Sequence, residues 1–178
     1  MAWWMIAAAL ASGAPAQDAM AGMAMKPAAA CPATPAPLPA DYAGWPTMTA
    51  LKAGAKADAA AGLTLGTGAR VTLLPTPQVT YAATMKHMGT PADFGGSLAF
   101  LVVKPGRYRV SLGAAAWIDV VQGATVMTSV AHGHGPDCSG IRKIVEFDLT
   151  PGAYLLQVAG NTASTLGVMV APVTAAAG

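Results

Sequence analysis

The fold of this chain is decided by residues 104–112, KPGRYRVSL. Apolar and polar side chains alternate here: Tyr108, Val110 and Leu112 share one face of an extended strand, and two arginines and Ser111 share the other. A period of two with one apolar face is typical of antiparallel sheets that bury a single side. The stretch therefore predicts a strand at the border between a core and solvent.

The same form returns at residues 150–158, TPGAYLLQV, as x-Pro-Gly-x-Tyr-x-aliphatic. Proline then glycine suits the two central positions of a type II turn, because proline fixes the first φ and glycine tolerates a positive second φ. Residues 144–149 alternate in the same way, with Val145, Phe147 and Leu149 on one face. Two tight turns are predicted, each leading into a strand with an inward-facing tyrosine.

Short runs rich in Val, Leu, Thr and Tyr continue from Leu63 onward, with Gly and Pro punctuation at roughly ten-residue intervals. The predicted strands are 63–66, 70–74, 78–82, 97–103, 107–113, 117–121, 125–130, 142–149, 153–159 and 165–171. This pattern predicts an all-β domain over residues 63–174: an antiparallel two-sheet sandwich, jelly-roll-like, of about eight strands.

The segments before residue 63 differ in composition. Residues 1–16 predict a signal peptide, since a short apolar stretch ends in the small-x-small pattern Ala14-Pro15-Ala16. Residues 17–40 predict a flexible tail rich in Ala, Pro and Met. Residues 41–62 form a lead-in whose alanines and lysines permit one short helix.

Charge and length exclude several classes of protein. Of the 178 residues only 10% are charged, and the net charge of +2 offers no footprint for nucleic acid. No run reaches the roughly 20 apolar residues of a spanning helix, so no transmembrane span is expected after signal cleavage. No glycine-rich phosphate loop is present. Together with the predicted signal peptide, these exclusions predict a periplasmic or extracellular protein whose partner is an envelope protein or a small ligand.

The chain has two cysteines, Cys31 and Cys138. Export brings thiols into an oxidising compartment, which favours a disulfide between them. A second interpretation stays open, in which Cys138 is a nucleophile with His132 or His134 as its base.

Residues 131–140, AHGHGPDCSG, form the segment richest in chemistry. His132 and His134 lie two apart, so on an extended segment both rings point the same way and could share one ion. Imidazole and thioether ligands together favour copper, among other transition metals. The candidate metal ligands are His132, His134, His87, Met85 and Met88, with a further methionine cluster at residues 20–25. In the simpler interpretation, also open, the histidines lie exposed in a loop and bind nothing.

Asp119 stands in an apolar strand, WIDVV, beside Trp117 and Val121. If those two neighbours face the core, Asp119 does as well, and a buried carboxylate needs a partner. The basic residues Arg142 and Lys143 could supply it. Asp119 is therefore predicted to be a structural ion pair or a ligand-binding carboxylate.

Four segments carry a family resemblance: residues 97–103, 105–108, 117–121 and 145–154. Together they resemble bacterial pre-peptidase C-terminal domains, which are small secreted β-sandwiches that accompany exported enzymes. That resemblance implies a non-enzymatic binding or accessory module of the cell envelope. The chain is also similar to short exported bacterial proteins that carry the name homogentisate dioxygenase. This second resemblance implies the alternative of a small metal-dependent enzyme, with iron held by two histidines and a carboxylate.

Overall fold

The computed structural model describes residues 31–32 and 37–174, which form two β-sheets packed against each other. The predicted two-sheet sandwich is confirmed, and this part of the chain contains no α-helix. In chain order the strands are β1 (Met48–Lys52), β2 (Ala61–Gly62), β3 (Gly68–Thr72), β4 (Leu74–Pro75), β5 (Phe94–Val102), β6 (Gly106–Leu112), β7 (Trp117–Gln122), β8 (Thr125–Val126), β9 (Ser129–Gly133), β10 (Lys143–Leu149), β11 (Gly152–Asn161) and β12 (Thr165–Pro172). The predicted signal peptide and most of the predicted tail lie outside the described residues.

The first sheet has the order β1-β3-β12-β6-β10-β9, and the second has the order β2-β5-β11-β7-β8, with β4 added beside β5. Most neighbours are antiparallel, but β1 runs parallel to β3 and β2 runs parallel to β5. The prediction of about eight strands falls short of these twelve, in part because three of them are only two residues long. Such short edge pairings leave no alternation pattern in the sequence.

The core lies between the sheets and follows the predicted alternation. In the β6–β10 pair, Tyr108 is opposite Phe147 and both are buried in the inter-sheet cluster. On the outer face of the same pair, Arg109 is opposite Glu146, and its Nε donates to the Glu146 carboxylate at 2.9 Å. From the second sheet, Leu156 joins the cluster with no exposed surface.

In each of the two Pro-Gly-x-Tyr turns, the tyrosine hydroxyl donates a hydrogen bond to a backbone carbonyl four residues earlier. The hydroxyl of Tyr108 donates to the carbonyl of Lys104 at 2.8 Å, and the hydroxyl of Tyr154 donates to the carbonyl of Thr150 at 2.9 Å. A buried tyrosine needs such a partner for its polar tip. The predicted type II turns are wrong, because that turn needs a glycine φ near +80°. Gly152 has a φ of 156°, and Gly106 is not among the positive-φ glycines.

The lead-in is extended rather than helical. The short helix permitted for residues 41–62 is wrong: this segment contains β1 and β2, with 3-10 turns only at Ala40–Tyr42 and Ala57–Ala59. Pairing of β1 with β3 supplies hydrogen bonds that local helix propensity cannot match. The sandwich therefore begins before residue 63.

Residues 37–46 cross the outer face of the first sheet, and we call this covered surface the strap face. Tyr42 and Trp45 are buried there against Ile144 and Met169. The Trp45 indole donates to the carbonyl of Ser139 at 2.9 Å. Just upstream, Cys31 is joined to Cys138, so the predicted disulfide is present.

Candidate functional site

A groove of about 460 Å³ opens where one end of the first sheet approaches one end of the second. We call it the edge groove. Its walls come from the loop after β4, from β7, and from the β9–β10 pair with its preceding segment. It is lined by Met85, Lys86, His87, Trp117, Ile118, Asp119, Met127, Ser129, His132, Lys143, Val145 and Phe147.

The loop wall is fixed to β11 by a buried amide clasp. The side chain of Gln157 donates to the carbonyl of Ala83 and accepts from its N–H, both at 3.0 Å, and Gln157 is fully buried. The hydroxyl of Tyr81 donates to the carbonyl of Val158 at 2.8 Å, and burial raises the pKa of Tyr81 to about 12. The predicted strand 78–82 is wrong, because this segment pairs with no strand: the N–H of Thr80 donates to the carbonyl of Ala55, and the side chain of Tyr81 reaches β11.

Trp117 forms the flat wall of the edge groove. It is 46% exposed, and the ring of His87 stacks on it with 3.9 Å between centroids and 23° between planes. The Nζ of Lys143 lies 4.9 Å from the centre of the same ring. Ring stacking and a nearby cation are both favourable contacts for an indole face, so they hold Trp117 in place as a half-exposed platform.

Asp119 does not face the core between the sheets. Its neighbour Val120 joins the core cluster, so Asp119 lies on the opposite side of β7, in register with Gln157 of β11. Burial raises the pKa of the Asp119 carboxyl, while the charges of Lys86 and His87 lower it by a smaller amount. Its carboxylate has no hydrogen bond or ion pair with any described residue.

The predicted ion pair of Asp119 with Arg142 or Lys143 is therefore not formed. The Lys143 ammonium instead donates to the carbonyl of Ala116 at 2.8 Å, its one hydrogen bond within the described part of the chain. Burial lowers the pKa of Lys143. Arg142 lies outside the edge groove and lines a separate depression.

The two histidines of the predicted pair are separated. His132 belongs to β9 and lines the edge groove, with its Nε2 3.2 Å from the hydroxyl of Ser129. His134 lines the other depression, and its Nδ1 lies 2.8 Å from the carbonyl of Arg142. The reason is local, because β9 ends at Gly133 and the two-residue spacing places rings together only while the strand continues.

The structure distributes the five candidate metal ligands unequally. Met85, His87 and His132 line the edge groove, whereas Met88 is 51% exposed and His134 lies elsewhere. Within residues 31–32 and 37–174, no three His, Cys, Asp or Glu side chains are grouped so that they could hold a metal ion. The two-histidine, one-carboxylate set of the dioxygenase alternative is not assembled there. The methionine cluster at residues 20–25 lies outside the described residues.

Other side chains of reactive type, a cysteine and two carboxylates, have structural roles. Cys138 is oxidised to a disulfide, which removes the Cys-His nucleophile interpretation. Glu146 and Asp148 form ion pairs with Arg109 and Arg107 across the β6–β10 pair. Neither carboxylate lines the edge groove.

The sequence interpretation missed the platform residue Trp117 and the clasp residue Gln157. Both could have been found from the sequence. Trp117 shares one face of β7 with the polar Asp119, while Ile118 and Val120 share the other. Gln157 is a polar residue among apolar neighbours in its strand. A polar side chain kept in such a strand indicates a buried hydrogen-bond partner.

Comparison of the chain with protein-family models and with curated proteins finds no match. In the described segment no helix is long and apolar enough to cross a membrane. The resemblance to pre-peptidase C-terminal domains stays a prediction.

Proposed function

We propose that this protein is an exported, non-enzymatic binding module of the cell envelope, and that the edge groove is its ligand site. One observation carries the proposal: the groove brings together an exposed tryptophan, a lysine and an aspartate whose charges are not paired with each other. Concave sites with an aromatic wall and a few convergent polar groups are where proteins bind small molecules.

Two further observations support an accessory role in an oxidising compartment. The Cys31–Cys138 disulfide is of the kind that persists after export. The hydroxyl in the groove, from Ser129, lies 3.2 Å from His132 Nε2, but among the described residues no third group hydrogen-bonds the other nitrogen of that ring to orient it, as a Ser-His catalytic pair needs.

A fragment screen followed by nuclear magnetic resonance tests the site. Soluble aromatic fragments of different charge are added to the ¹⁵N-labelled chain, and the indole N–H signals of Trp117 and Trp45 are followed. We expect hits that shift Trp117 and leave the buried Trp45 unchanged, and that lose affinity at least tenfold in Trp117→Ala. Hits that survive Trp117→Ala, or a screen with no hit at Trp117, would overturn the proposal.

A second candidate function is binding of a soft metal ion, most favourably Cu(I), in the same groove. The supporting observation is that Met85, His87 and His132 reach one groove from two segments far apart in sequence. Imidazole nitrogen and thioether sulfur are a donor set that Cu(I) accepts.

Competition with a chromophoric Cu(I) chelator tests this candidate. A His87→Ala, His132→Ala double variant is expected to lose one equivalent of Cu(I) relative to the wild type. His134→Ala is the matched control, because its ring lies outside the groove, and it should keep that equivalent. Equal binding by the double variant and the control would reject the metal candidate.

A further inference from the structure

Lys143 and Asp119 both line the edge groove, and neither forms an ion pair with a described residue, although Lys86 and His87 lie near Asp119. The Lys143 ammonium has three donors and uses one of them, on the carbonyl of Ala116. The Asp119 carboxylate accepts no hydrogen bond there. The two groups do not come within ion-pair distance of each other. The groove therefore holds two separated, half-buried charges of opposite sign.

Such charges are costly in a partly buried site unless something neutralises them. The strap face shows how this chain treats other half-buried charges: Arg109 lies between Asp41 and Glu146, at 3.2 and 2.8 Å. In the edge groove, no described residue comes within ion-pair distance of Asp119 or Lys143. A ligand can supply partners for both.

The charge pattern discriminates between classes of ligand. A simple anion would satisfy Lys143 but bring negative charge towards Asp119, and a simple cation would satisfy Asp119 but face Lys143 and Lys86. A neutral ligand would cover both charges and pair neither. Only a molecule with one group of each sign matches both ends.

We infer that the edge groove binds a small zwitterion of the amino-acid class, with its ammonium group at Asp119, its carboxylate at Lys143 and its side chain on the Trp117 platform. This inference rests on the proposed binding function of the groove. The exposed Lys86 near Asp119 adds positive charge at the rim and leaves the carboxylate of the ligand as the more strongly held end.

Titration calorimetry on the full chain with matched ligands tests the inference. The ligands are phenylalanine, its homologues with one or two more carbons between ammonium and carboxylate, 3-phenylpropionate without the ammonium, and 2-phenylethylamine without the carboxylate. At least one zwitterion should bind tenfold or more tightly than both singly charged analogues. If no zwitterion exceeds both analogues, the inference is wrong.

Two variants then test which residue binds each charged group of the ligand. Asp119→Asn should abolish the advantage of the zwitterion over 3-phenylpropionate, and Lys143→Met should abolish its advantage over 2-phenylethylamine. Lys56→Met and Asp58→Asn remove the two partners of an exposed ion pair outside the groove and serve as matched controls that should keep both advantages. Loss in the controls, or retention in the groove variants, would overturn the assignment.

The wild-type comparison of ligands stands even if a groove variant fails to fold. Its outcome also separates the two proposals. Groove fragments that bind without preference for zwitterions would reject the inference and leave the binding function intact. Absence of any ligand at Trp117 would reject both.

Discussion

The strap face and the edge groove use similar residues for opposite purposes. On the strap face, Arg109 contacts Asp41 and Glu146, and its guanidinium lies 5.0 Å from the ring centre of Tyr42. In the edge groove, Lys143 lies over Trp117 without any carboxylate partner in the described chain. On the strap face the chain supplies the carboxylates that pair with the cation, and in the edge groove the described chain supplies none. The difference teaches that one surface of this sandwich pairs its buried cation with carboxylates of the same chain, whereas the other, the proposed ligand site, does not.

Removing the disulfide at the strap face should cause the largest loss of stability. The disulfide spans 107 residues of sequence, and closing a loop of that length restricts the unfolded chain. We expect a Cys31→Ser, Cys138→Ser double variant to lose about 3–5 kcal/mol of unfolding free energy, measured by urea denaturation. Ligand binding at the edge groove should be unchanged under conditions where the variant is folded. An unchanged denaturation midpoint would contradict the assigned structural role.

Removing Arg109 should have the next largest effect. Arg109→Met leaves the carboxylates of Asp41 and Glu146 close together without their cation, at an expected cost of about 2–3 kcal/mol. Arg107→Met is the matched control on the same strand, because Arg107 is 46% exposed and solvent screens its pair with Asp148, so the loss should be much smaller. Equal losses of unfolding free energy in the two variants would show that the buried ion pair stabilises the fold no more than the exposed one does.

The clasp of the edge groove should contribute slightly less. Gln157→Leu keeps the volume but leaves the N–H and carbonyl of Ala83 without their partner, at an expected cost of about 2 kcal/mol. Hydrogen exchange at the Ala83 amide should accelerate more than exchange in β6. If exchange speeds up equally in both places, the clasp does not hold the loop locally.

Asp119→Asn should produce the smallest change, and its sign depends on pH. Burial raises the folded-state pKa of Asp119 above the ordinary value of 3.8, so the carboxyl takes up a proton more readily in the folded chain than in the unfolded chain. Its contribution to stability is therefore present at low pH and is lost as the pH rises through the folded pKa. We expect the variant to melt at a higher temperature than the wild type at pH 7, with the difference vanishing near pH 3. A difference of the same size at both pH values would contradict this account.

Alternation made much of the sandwich predictable. The β6 and β10 segments alternate because each buries one face between the sheets, and burial of Tyr108 and Phe147 follows directly from that pattern. The disulfide was predictable as well, since a chain with two cysteines has only one intramolecular pair to form. The short parallel strands β1 and β2 were not, because they are specified by their partners across the sheet.

The site was predicted only in pieces. Asp119, Lys143, His87, His132 and Met85 were all selected from the sequence, and the structure places all five along the edge groove. Their contacts differ from the candidate pairings: Lys143, one of two possible partners of Asp119, forms no ion pair with it, and the possible pair of His132 with His134 is separated. Spacing along a strand predicts which side chains share a face only while the strand continues, and β9 ends before His134.

The sequence by itself determined the two-sheet class, the inward faces of the main strands and the disulfide, because these depend on local periodicity and on residue type. Only the tertiary structure decided that the ends of the two sheets meet at a groove. It also decided that the loop through Ala83 lies over β11 and that the charges of Asp119 and Lys143 stay apart. These features arise from contacts between segments distant in sequence, and no local pattern encodes the distance between them.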